Sequence, residues 1–497
     1  MTTFSSIDLF AGIGGFRLAV ERNGGTCSHF SEINRDAIDA YLTNFPDSNH
    51  TNLGDITKLK SLPQHDFLTG GVPCQSWSIA GRNLGFDDDR GQLWNDALFL
   101  LNQSRPKAFM FENVKGLADP RNQKALEYIL KRIQAAGYHA RHYVLNSFEY
   151  GVPQSRVRIY IIGFREKKFQ DAFSLPAKAR KKIRLAEILD GLEHQGNFQD
   201  SGLPPELDLF GNPISDRRKS STSLSRNNNG LNDYFLLNDL RNGCTTIHSW
   251  DLLETTEKQK EICLLLLRNR RKKIFGCLDG NPLSLSQFQT LNHAITQEDI
   301  DGLVKSGILK PEKYAFSVIT ATKTLNEQEK LVISFERNGK LVIDELSRER
   351  IFKVKKVKLN PLLEEMEAKG IVRCDEIRYD FRFTKISTGL FGVNRIFLPS
   401  SNIFPTLVAS DSNDYVTTVS LHAPEASEYR RQFIKKIWLP RNFRRITKCE
   451  ACRIQGFPAD FVLPNARARW MKLLGNSVSV SVIEQLVKSI CATGVFS

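Results

Sequence analysis

The chain lacks long apolar runs, a leader-like start and any regular spacing of cysteines. Its longest apolar run, near Cys263–Leu267, is far shorter than the ~20 residues that cross a bilayer. Met1–Phe10 has no basic segment followed by an apolar stretch. The nine cysteines, from Cys27 to Cys491, are odd in number and suit reduced thiols better than a disulfide framework. These absences predict a soluble, non-secreted, cytoplasmic protein.

Composition indicates a folded chain of several structural units. Its 497 residues suggest about three units at ~150 residues each, or two large ones. The content of 41% hydrophobic and 25% charged residues excludes disorder of the whole chain. Lys and Arg number 69 against 55 Asp and Glu, a formal charge of +14, which mildly favours polyanionic partners.

The first 165 residues alternate short apolar runs with amphipathic helical patterns, which is typical of a doubly wound α/β sheet. Apolar residues at i, i+3, i+4 and i+7 predict helices that pack one face against the sheet. The predicted strands are Ser6–Phe10, Asp66–Leu68, Ala108–Phe111 and Ile159–Ile162. The apolar helix positions are Ile38, Tyr41, Leu42 and Phe45, then Leu126, Ile129, Leu130 and Ile133, and finally Ile483, Leu486, Val487 and Ile490.

The composition changes near residue 178, where a polar, basic stretch replaces the βα pattern, and we place a domain boundary there. Two pieces of the middle region look alike. Residues 301–309 and 363–372 both read as a helix that ends at Gly and enters an apolar strand. One hypothesis assigns them to winged-helix-like units, although such turns are common.

A glycine-rich turn, Asp8–Gly15, lies between the first strand and a helix. Such a turn lets a nucleotide-like ligand approach the backbone, and Glu32, about twenty residues on, could bind ribose hydroxyls. The dinucleotide pattern G-x-G-x-x-G fails, because Arg17 occupies its sixth position counted from Gly12. A NAD enzyme is therefore disfavoured, whereas an adenosyl ligand and a purely structural turn both remain open.

A cysteine and a carboxylate follow two predicted strands. Cys74 lies in Gly70–Ser78, directly after Pro73, and Glu112 ends the next apolar strand. Neighbouring parallel strands end at the same edge of a sheet, so the thiol and the carboxylate can share a cleft. Most isolated cysteines are inert core residues, and only this neighbourhood suggests catalysis.

Two arginines follow on a further strand. Gln154, Arg156 and Arg158 are spaced at i, i+2, which predicts both guanidiniums on one face. Such pairs are often only surface ion pairs. Beside a thiol and a carboxylate they would supply fixed hydrogen-bond donors.

Six sequence blocks resemble those of the bacterial cytosine-5 DNA methyltransferases of restriction-modification systems, and they follow one another in the order found in that family. They cover residues 1 to about 165 and 440 to 490. Trp77 stands where Phe is usual, and Lys448-Cys449 where Pro-Arg is common. The blocks are Asp8–Gly15, Gly71–Gly81, Glu112–Val114, Gln154–Arg158, Arg445–Pro458 and Gly475–Val478.

The resemblance implies a Rossmann-like, S-adenosylmethionine-dependent methyltransferase sheet. Cys74 would attack C6 of a flipped-out cytosine, Glu112 would bind N3 and the exocyclic amine, Arg156 would hold the O2 side, and Arg158 would support the site. The implied cofactor residues are Asp8, Phe10, Ala11, Gly12, Gly14, Gly15, Glu32, Asp55, Ile56, Asn476 and Val478. The implied DNA-binding residues are Gln75, Ser76, Arg156, Arg158, Thr406, Arg445 and Gln455.

The same resemblance implies two domains built from three stretches of chain. Residues 1–178 and 466–497 would form the catalytic and cofactor-binding domain. Residues 179–465 would form a second, smaller-core DNA-recognition domain of mixed α+β structure, with inserted subdomains at about 240–380. We expect a monomer that acts on double-stranded DNA, has no membrane partner and can be paired with a cognate restriction endonuclease.

Several alternatives stay open. An RNA cytosine methylase uses the same chemistry on tRNA, and a DNA-binding protein could retain a degenerate methylase scaffold. The pair Cys449 and Cys452 has no second pair at metal spacing, so we expect packing and no metal site. The basic run from Arg430 to Arg445 is expected to contact phosphates.

Overall fold

The computed structural model describes residues 3–48, 51–73, 89–180, 183–192, 234–236, 247–278, 280–319, 325–348, 359–384, 389–401, 403–421 and 426–497. The chain forms two compact units. Unit 1 comprises Met1–Tyr234 and Ile396–Ser497, and unit 2 comprises Phe235–Arg395. The functional boundaries near 178 and 465 stay predictions. Within the described part, no helix combines the length and the apolar character needed to cross a membrane.

The described strands are β1 Phe4–Leu9, β2 Gly25–Ser31, β3 Phe67–Gly71, β4 Ala108–Val114, β5 His139–Asn146, β6 Gln154–Ser155, β7 Val157–Phe164, β8 Tyr234–Leu236, β9 Leu309–Val318, β10 Lys340–Val342, β11 Val372–Phe381, β12 Arg395–Phe397, β13 Phe404–Pro405 and β14 Asp414–Val416. The described α-helices are α1 Gly15–Glu21, α2 Arg35–Asn44, α3 Asp89–Ser104, α4 Gln123–Ala135, α5 Lys167–Ala172, α6 Ser249–Leu252, α7 Glu257–Asn269, α8 Leu285–Leu291, α9 Gln297–Lys305, α10 Glu327–Ile333, α11 Ile343–Arg348, α12 Leu359–Ala368, α13 Ala426–Phe433, α14 Lys448–Gln455, α15 Arg467–Asn476 and α16 Val480–Ala492.

The central sheet of unit 1 has the strand order β2-β1-β3-β4-β7-β5. The pairs from β2 to β4 are parallel, whereas β7 runs antiparallel to both β4 and β5. The four strands predicted from apolar runs all lie in this sheet. Because the parallel strands end at one edge, the loops after β1, β2, β3 and β4 meet there.

Helices cover both faces of the sheet, as the doubly wound prediction requires. Each face of the sheet has its own hydrophobic core. Alternate residues of β4 point to opposite faces, so Met110 packs in one core and Phe111 in the other. The first face is covered by α1, α2 and α16, and the second by α3 and α4. The predicted helix stripes supply Tyr41, Ile129 and Ile483, all without exposed surface.

The C-terminal helix returns to the start of the chain, as expected. Phe496 stacks on Phe4 with ring centroids 4.2 Å apart. Arg22 after α1 forms an ion pair with Glu484 of α16 at 2.8 Å. The first and last stretches of the sequence therefore build one core.

Unit 2 contains the two similar pieces noted in the sequence. Helix α9 leads through Gly307 (φ 77°) into β9, and α12 leads through Gly370 (φ 68°) into β11. A left-handed residue after the helix favours glycine. The two long strands pair antiparallel in a three-stranded sheet of order β10-β9-β11. The helix-to-strand interpretation of both pieces is confirmed.

Candidate active site

The chain turns sharply after β1, at the carboxyl edge of the sheet. Phe10 and Gly12 have positive φ angles of 54° and 55°. The Ala11 N–H donates to the Ser31 carbonyl at 3.0 Å, which holds the turn against the end of β2. A Cβ atom on Gly14 would lie 2.4 Å from the Phe45 ring, so glycine is required there.

Glu32 reaches back to this turn from the end of β2. Its Oε2 accepts a hydrogen bond from the Gly12 N–H at 2.9 Å. Its Oε1 accepts from the N–H groups of Ile33 and Asn34, each at 2.8 Å. A Cβ atom added to Gly12 would meet nothing within 4 Å. The turn therefore carries open space beside a fixed carboxylate.

Asp55 and Ile56 lie next to the same edge. The Ser31 hydroxyl donates to the Gly54 carbonyl at 2.6 Å and so ties this segment to β2. Asp55 Oδ1 accepts from the Thr57 N–H at 3.0 Å and from its hydroxyl at 2.8 Å, and these bonds lower the pKa of Asp55. Ile56 is buried. Asp55 thus caps a short turn in a segment that is tied to the end of β2.

Asp8 lies deeper than its place in the motif suggests. Its side chain is 1% exposed, and burial raises its pKa to about 8. The Thr69 hydroxyl donates to Asp8 Oδ1 at 3.0 Å and opposes this shift in part. Asp8 is therefore mainly protonated at neutral pH.

The ends of β3 and β4 are neighbours, as predicted. Gly71 pairs with Glu112 in the parallel register. The buried Asn113 amide donates to the Val72 carbonyl at 3.1 Å and anchors the chain that leads to Pro73. Cys74, Gln75 and Ser76 follow at once but lie outside the described residues.

Asn113 was not singled out from the sequence. The available signal is an amide directly after Glu112 at a buried strand end, where a polar side chain needs a partner. Its bond to Val72 makes it a positioning residue for the predicted cysteine loop.

Arg158 faces the Glu112 carboxylate. Its Nε lies 3.0 Å from Glu112 Oε1, and the two side chains are 14% and 10% exposed. The β4–β7 register sets Val114 opposite Arg158 and Glu112 opposite Tyr160. A carboxylate and a guanidinium therefore lie side by side, nearly buried, at the carboxyl end of β4.

Arg156 has different partners. Its Nη1 donates to the Gly475 carbonyl at 3.2 Å and its Nη2 to the Ser477 carbonyl at 2.5 Å. Nη1 also donates to the Leu407 carbonyl at 3.4 Å. The strand is interrupted at Arg156, between β6 and β7, so the period of two that predicted one shared face for both arginines does not apply.

Gln455 and Gln154 form a buried amide pair. Gln154 Nε2 donates to Gln455 Oε1 at 2.7 Å. Gln455 Nε2 donates to the carbonyls of Ser477 and Val478, both at 3.0 Å. Neither amide side chain has exposed surface. In this geometry Gln455 holds the turn after α15 and offers no surface to DNA.

The turn after α15 meets the first block, as the resemblance implies. A Cβ atom on Gly15 would lie 2.7 Å from a Val478 methyl group, and one on Gly71 would lie 3.9 Å from the other. Val478 is 7% exposed, whereas Asn476 is exposed. Val478 therefore packs between the glycine-rich turn and the end of β3.

Thr406 and Arg445 are held by protein partners. The Thr406 hydroxyl donates to the Ser155 carbonyl at 2.5 Å, beside the parallel pairing of β13 with β6. Arg445 pairs with Asp411 at 2.9 Å, and its guanidinium lies 5.6 Å from the Tyr415 ring centroid. Their predicted contacts with DNA stay predictions.

The parallel sheet with one reversed strand, β7, has the α/β architecture of the S-adenosylmethionine-dependent methyltransferases. The model of one family, described as C-5 cytosine-specific DNA methylase, matches residues 4–492. The chain belongs to this family and is a DNA cytosine-5 methyltransferase.

Curated relatives match over the full length. The Type II methyltransferase M.HgiBI of Herpetosiphon aurantiacus is 38% identical, covering 100% of this chain and 98% of the relative. M.BanI of Aneurinibacillus aneurinilyticus, also named a Type II methyltransferase, is 30% identical over 97% of this chain and 95% of its own. Among solved structures, the Entamoeba histolytica methyltransferase EhMeth covers 99% of both chains at 14% identity, with a TM-score of 0.47.

Proposed function

We propose that this enzyme methylates cytosine within a specific sequence of double-stranded DNA and protects host DNA in a restriction-modification system. The Type II names of M.HgiBI and M.BanI support this reading and the existence of a cognate endonuclease. The observation that carries the proposal is the Glu112–Arg158 pair at 3.0 Å, beside the strand end that leads to Cys74.

Cys74 is the proposed nucleophile. Its thiolate would add to C6 of the cytosine, so that the C5–C6 π pair shifts to C5–C4 and the C4–N3 pair to N3, which gives an enamine. C5 would then take the methyl group from the cofactor's sulfonium, whose sulfur keeps the pair of the broken S–C bond and leaves as a thioether. Loss of the C5 proton to a base would re-form the C5–C6 double bond and expel the thiolate. The target base must leave the stack to enter this cleft.

Glu112 and Arg158 would disperse the negative charge that builds on the ring. Glu112 would hydrogen-bond N3 and the exocyclic amine, and Arg158 would donate to O2, because its guanidinium is the one beside Glu112. Arg156 would support the site by donating hydrogen bonds to the carbonyls of Gly475 and Ser477. This assignment exchanges the roles that the sequence suggested for the two arginines.

S-adenosylmethionine would supply the electrophilic methyl group. The chain fits this group, since open space at Gly12 adjoins the fixed Glu32 carboxylate, and the apolar Ile33 beside it is 72% exposed. Glu32 would accept hydrogen bonds from the ribose hydroxyls. Asp55 and Ile56 would hold the adenine end.

The remaining cofactor residues come from both ends of the chain. Phe10, Ala11 and the adjacent glycines would line the methionine portion, with Asn476 and Val478 closing the pocket. Asp8, buried beneath the turn, would support its shape. We propose residues 1–178 with 466–497 as the catalytic domain, and 179–465 as the domain that recognises DNA.

Methylation assays on plasmid DNA and on tRNA test the proposal. We expect labelled methyl groups in DNA, and bisulfite sequencing should find modified cytosines within one recurring motif. Activity on tRNA alone would contradict the DNA substrate.

The covalent step needs its own test. A duplex with 5-fluorocytosine at the target cannot lose the C5 substituent as a proton, so the adduct should accumulate and map to residue 74. A Cys74→Ala variant that methylates as well as the parent would contradict the mechanism.

A further inference from the structure

Unit 2 is built from two copies of one arrangement. In the described residues, each copy runs helix, short strand or bridge, helix, helix, long strand. The first helices, α7 and α10, begin with capping boxes at Thr256 and Asn326. The first copy contains α7, Leu283, α8, α9 and β9, and the second contains α10, β10, α11, α12 and β11.

The two copies exchange their short strands. Leu283 of the first copy bridges Tyr379 in β11, whereas Leu341 of the second pairs with Phe316 in β9. The start of each long strand lies opposite the end of the other, with Leu309 paired to Phe381. The copies are therefore related by an approximate two-fold. A feature found in only one of them is not required by the shared arrangement.

The connection after the first helix differs between the copies. In the first copy it spans 270–282 and in the second only 334–339. Arg268, Arg271, Lys272 and Lys273 are all exposed, and the sequence has no acidic residue from 262 to 278. The longer connection carries four basic residues, from Arg270 to Lys273, and one acidic residue, Asp279, whereas the shorter one carries one of each, Glu336 and Arg337. We call residues 268–274 the basic turn.

The basic turn has a fixed backbone and an exposed apolar tip. Ile274 is 81% exposed, while the next residue, Phe275, is buried at 9%. Arg378 Nη1 donates to the Phe275 carbonyl at 2.8 Å, and the buried pair of Arg270 with Asp380 at 2.8 Å anchors the start of the turn. An aliphatic side chain that stays in water does not stabilise the fold, so the exposure of Ile274 indicates that it is available to a binding partner.

We propose that the basic turn binds the duplex that the enzyme methylates, an inference that rests on the proposed DNA substrate. Lys272, Lys273 and Arg268 would contact backbone phosphates, and no carboxylate among the described residues forms an ion pair with them. Ile274 would contact bases in the groove, as apolar side chains between cations do in proteins that deform DNA.

The exposed helices of unit 2 suit DNA less well. The open face of α9 carries Glu298 and Asp301, and that of α12 carries Glu364 and Glu365. These carboxylates would repel phosphates. Charge complementarity thus favours the basic turn over these two helices as a DNA contact of this unit.

Equilibrium binding of the full-length enzyme to a substrate duplex at several salt concentrations tests the proposal. Replacing Lys272 and Lys273 together by Gln should raise Kd roughly ten-fold near 0.1 M salt. The slope of log Kd against log salt concentration should fall by about 1 to 2, because fewer phosphates are neutralised. The matched control replaces Lys258 and Lys260, which pair with Asp299 and Glu257 at the other end of α7. The control should keep the parent's slope.

An Ile274→Ala variant tests the apolar contact separately. It should raise Kd about five-fold at every salt concentration without changing the slope, because it removes buried apolar area but no charge. If the parent enzyme methylates duplex DNA but the Lys272/Lys273 variant has the same salt slope as the parent, the proposed DNA contact of the basic turn is wrong and the proposed function stands. A parent that methylates no duplex would overturn the proposed function and this inference with it.

Discussion

Arg156 and Arg158 are two residues apart, yet their replacement by Met should give opposite phenotypes. Arg156 is 2% exposed and donates to three backbone carbonyls of the segments around 407 and 475–477. Arg158 pairs with a single carboxylate, Glu112, at 3.0 Å. We therefore expect Arg156→Met to destabilise the fold and Arg158→Met to remove activity from a folded protein.

The magnitudes follow from what each change leaves behind. Arg156→Met leaves three carbonyls without their charged donor, and loss of one partner of a buried charged network costs about 3–5 kcal/mol. Arg158→Met leaves a single nearly buried carboxylate, Glu112, without its partner, which costs about 1–3 kcal/mol of stability and so less than the loss at Arg156. Loss of a donor aimed at developing charge should lower the methyl-transfer rate about 10²- to 10³-fold.

Three measurements on both variants separate the two roles. Urea denaturation reports stability, calorimetric titration with S-adenosylhomocysteine reports the cofactor pocket, and single-turnover methyl transfer reports chemistry. Arg156→Met should unfold at lower urea and bind the cofactor analogue more weakly, since the 475–477 turn loses one of its two anchors and keeps only Gln455. If Arg156→Met unfolds like the parent and binds the analogue normally but cannot transfer methyl groups, our assignment of the two arginines is wrong.

Three further changes test other parts of the site. Glu112→Gln should lower single-turnover methyl transfer by about 10²-fold with little change in affinity for S-adenosylhomocysteine; a collapse of that affinity would mean that the carboxylate serves the cofactor. Asn113→Leu should free the Val72 carbonyl and reduce trapping of 5-fluorocytosine, measured as covalent complex per enzyme, while cofactor binding persists; unchanged trapping would argue against the anchor. The pKa of Asp8 is raised to about 8 in the folded state, whereas the unfolded chain has the ordinary value of about 4. Asp8 therefore stabilises the fold fully below about pH 4, and this stabilisation is progressively lost as the pH rises through 8. Urea midpoints at pH 5, 7 and 9 should therefore fall more steeply for the parent than for Asp8→Asn, and equal slopes would contradict the buried, protonated carboxyl.

Unit 1 could be predicted from sequence because its signals are local. The apolar run Ala108–Phe111 becomes part of β4, and the stripe containing Ile483 becomes the buried face of α16. Unit 2 could not be predicted to the same depth, because its sheet depends on pairing Leu309 with Phe381 across a long stretch of chain. Periodicity identifies such strands but does not choose their partners.

The sequence predicted which strand ends meet at the site, but it did not predict the partners of the individual side chains. The neighbouring ends of β3 and β4 follow from parallel order, which brought Glu112 beside Gly71, three residues before Cys74 in the sequence. The direction of an individual guanidinium depends on tertiary partners that spacing does not encode. The interruption at Arg156 is such a case, since its backbone N–H donates to the Asn146 side chain at 3.0 Å instead of continuing the strand.

The buried amides couple three parts of unit 1 that the sequence keeps far apart. Gln154 binds Gln455, Gln455 binds the carbonyl of Ser477, and Arg156, which follows β6, binds the same carbonyl. Thr406 in turn holds β13 to the Ser155 carbonyl. A displacement of the segment around Thr406 would therefore strain the turn that packs against the glycine-rich loop. Because Gln154, Gln455, Arg156 and Ser477 are buried, such a displacement has to break hydrogen bonds to which water has little access. The arrangement thus resists independent movement of the segment around Thr406 and the turn at Ser477.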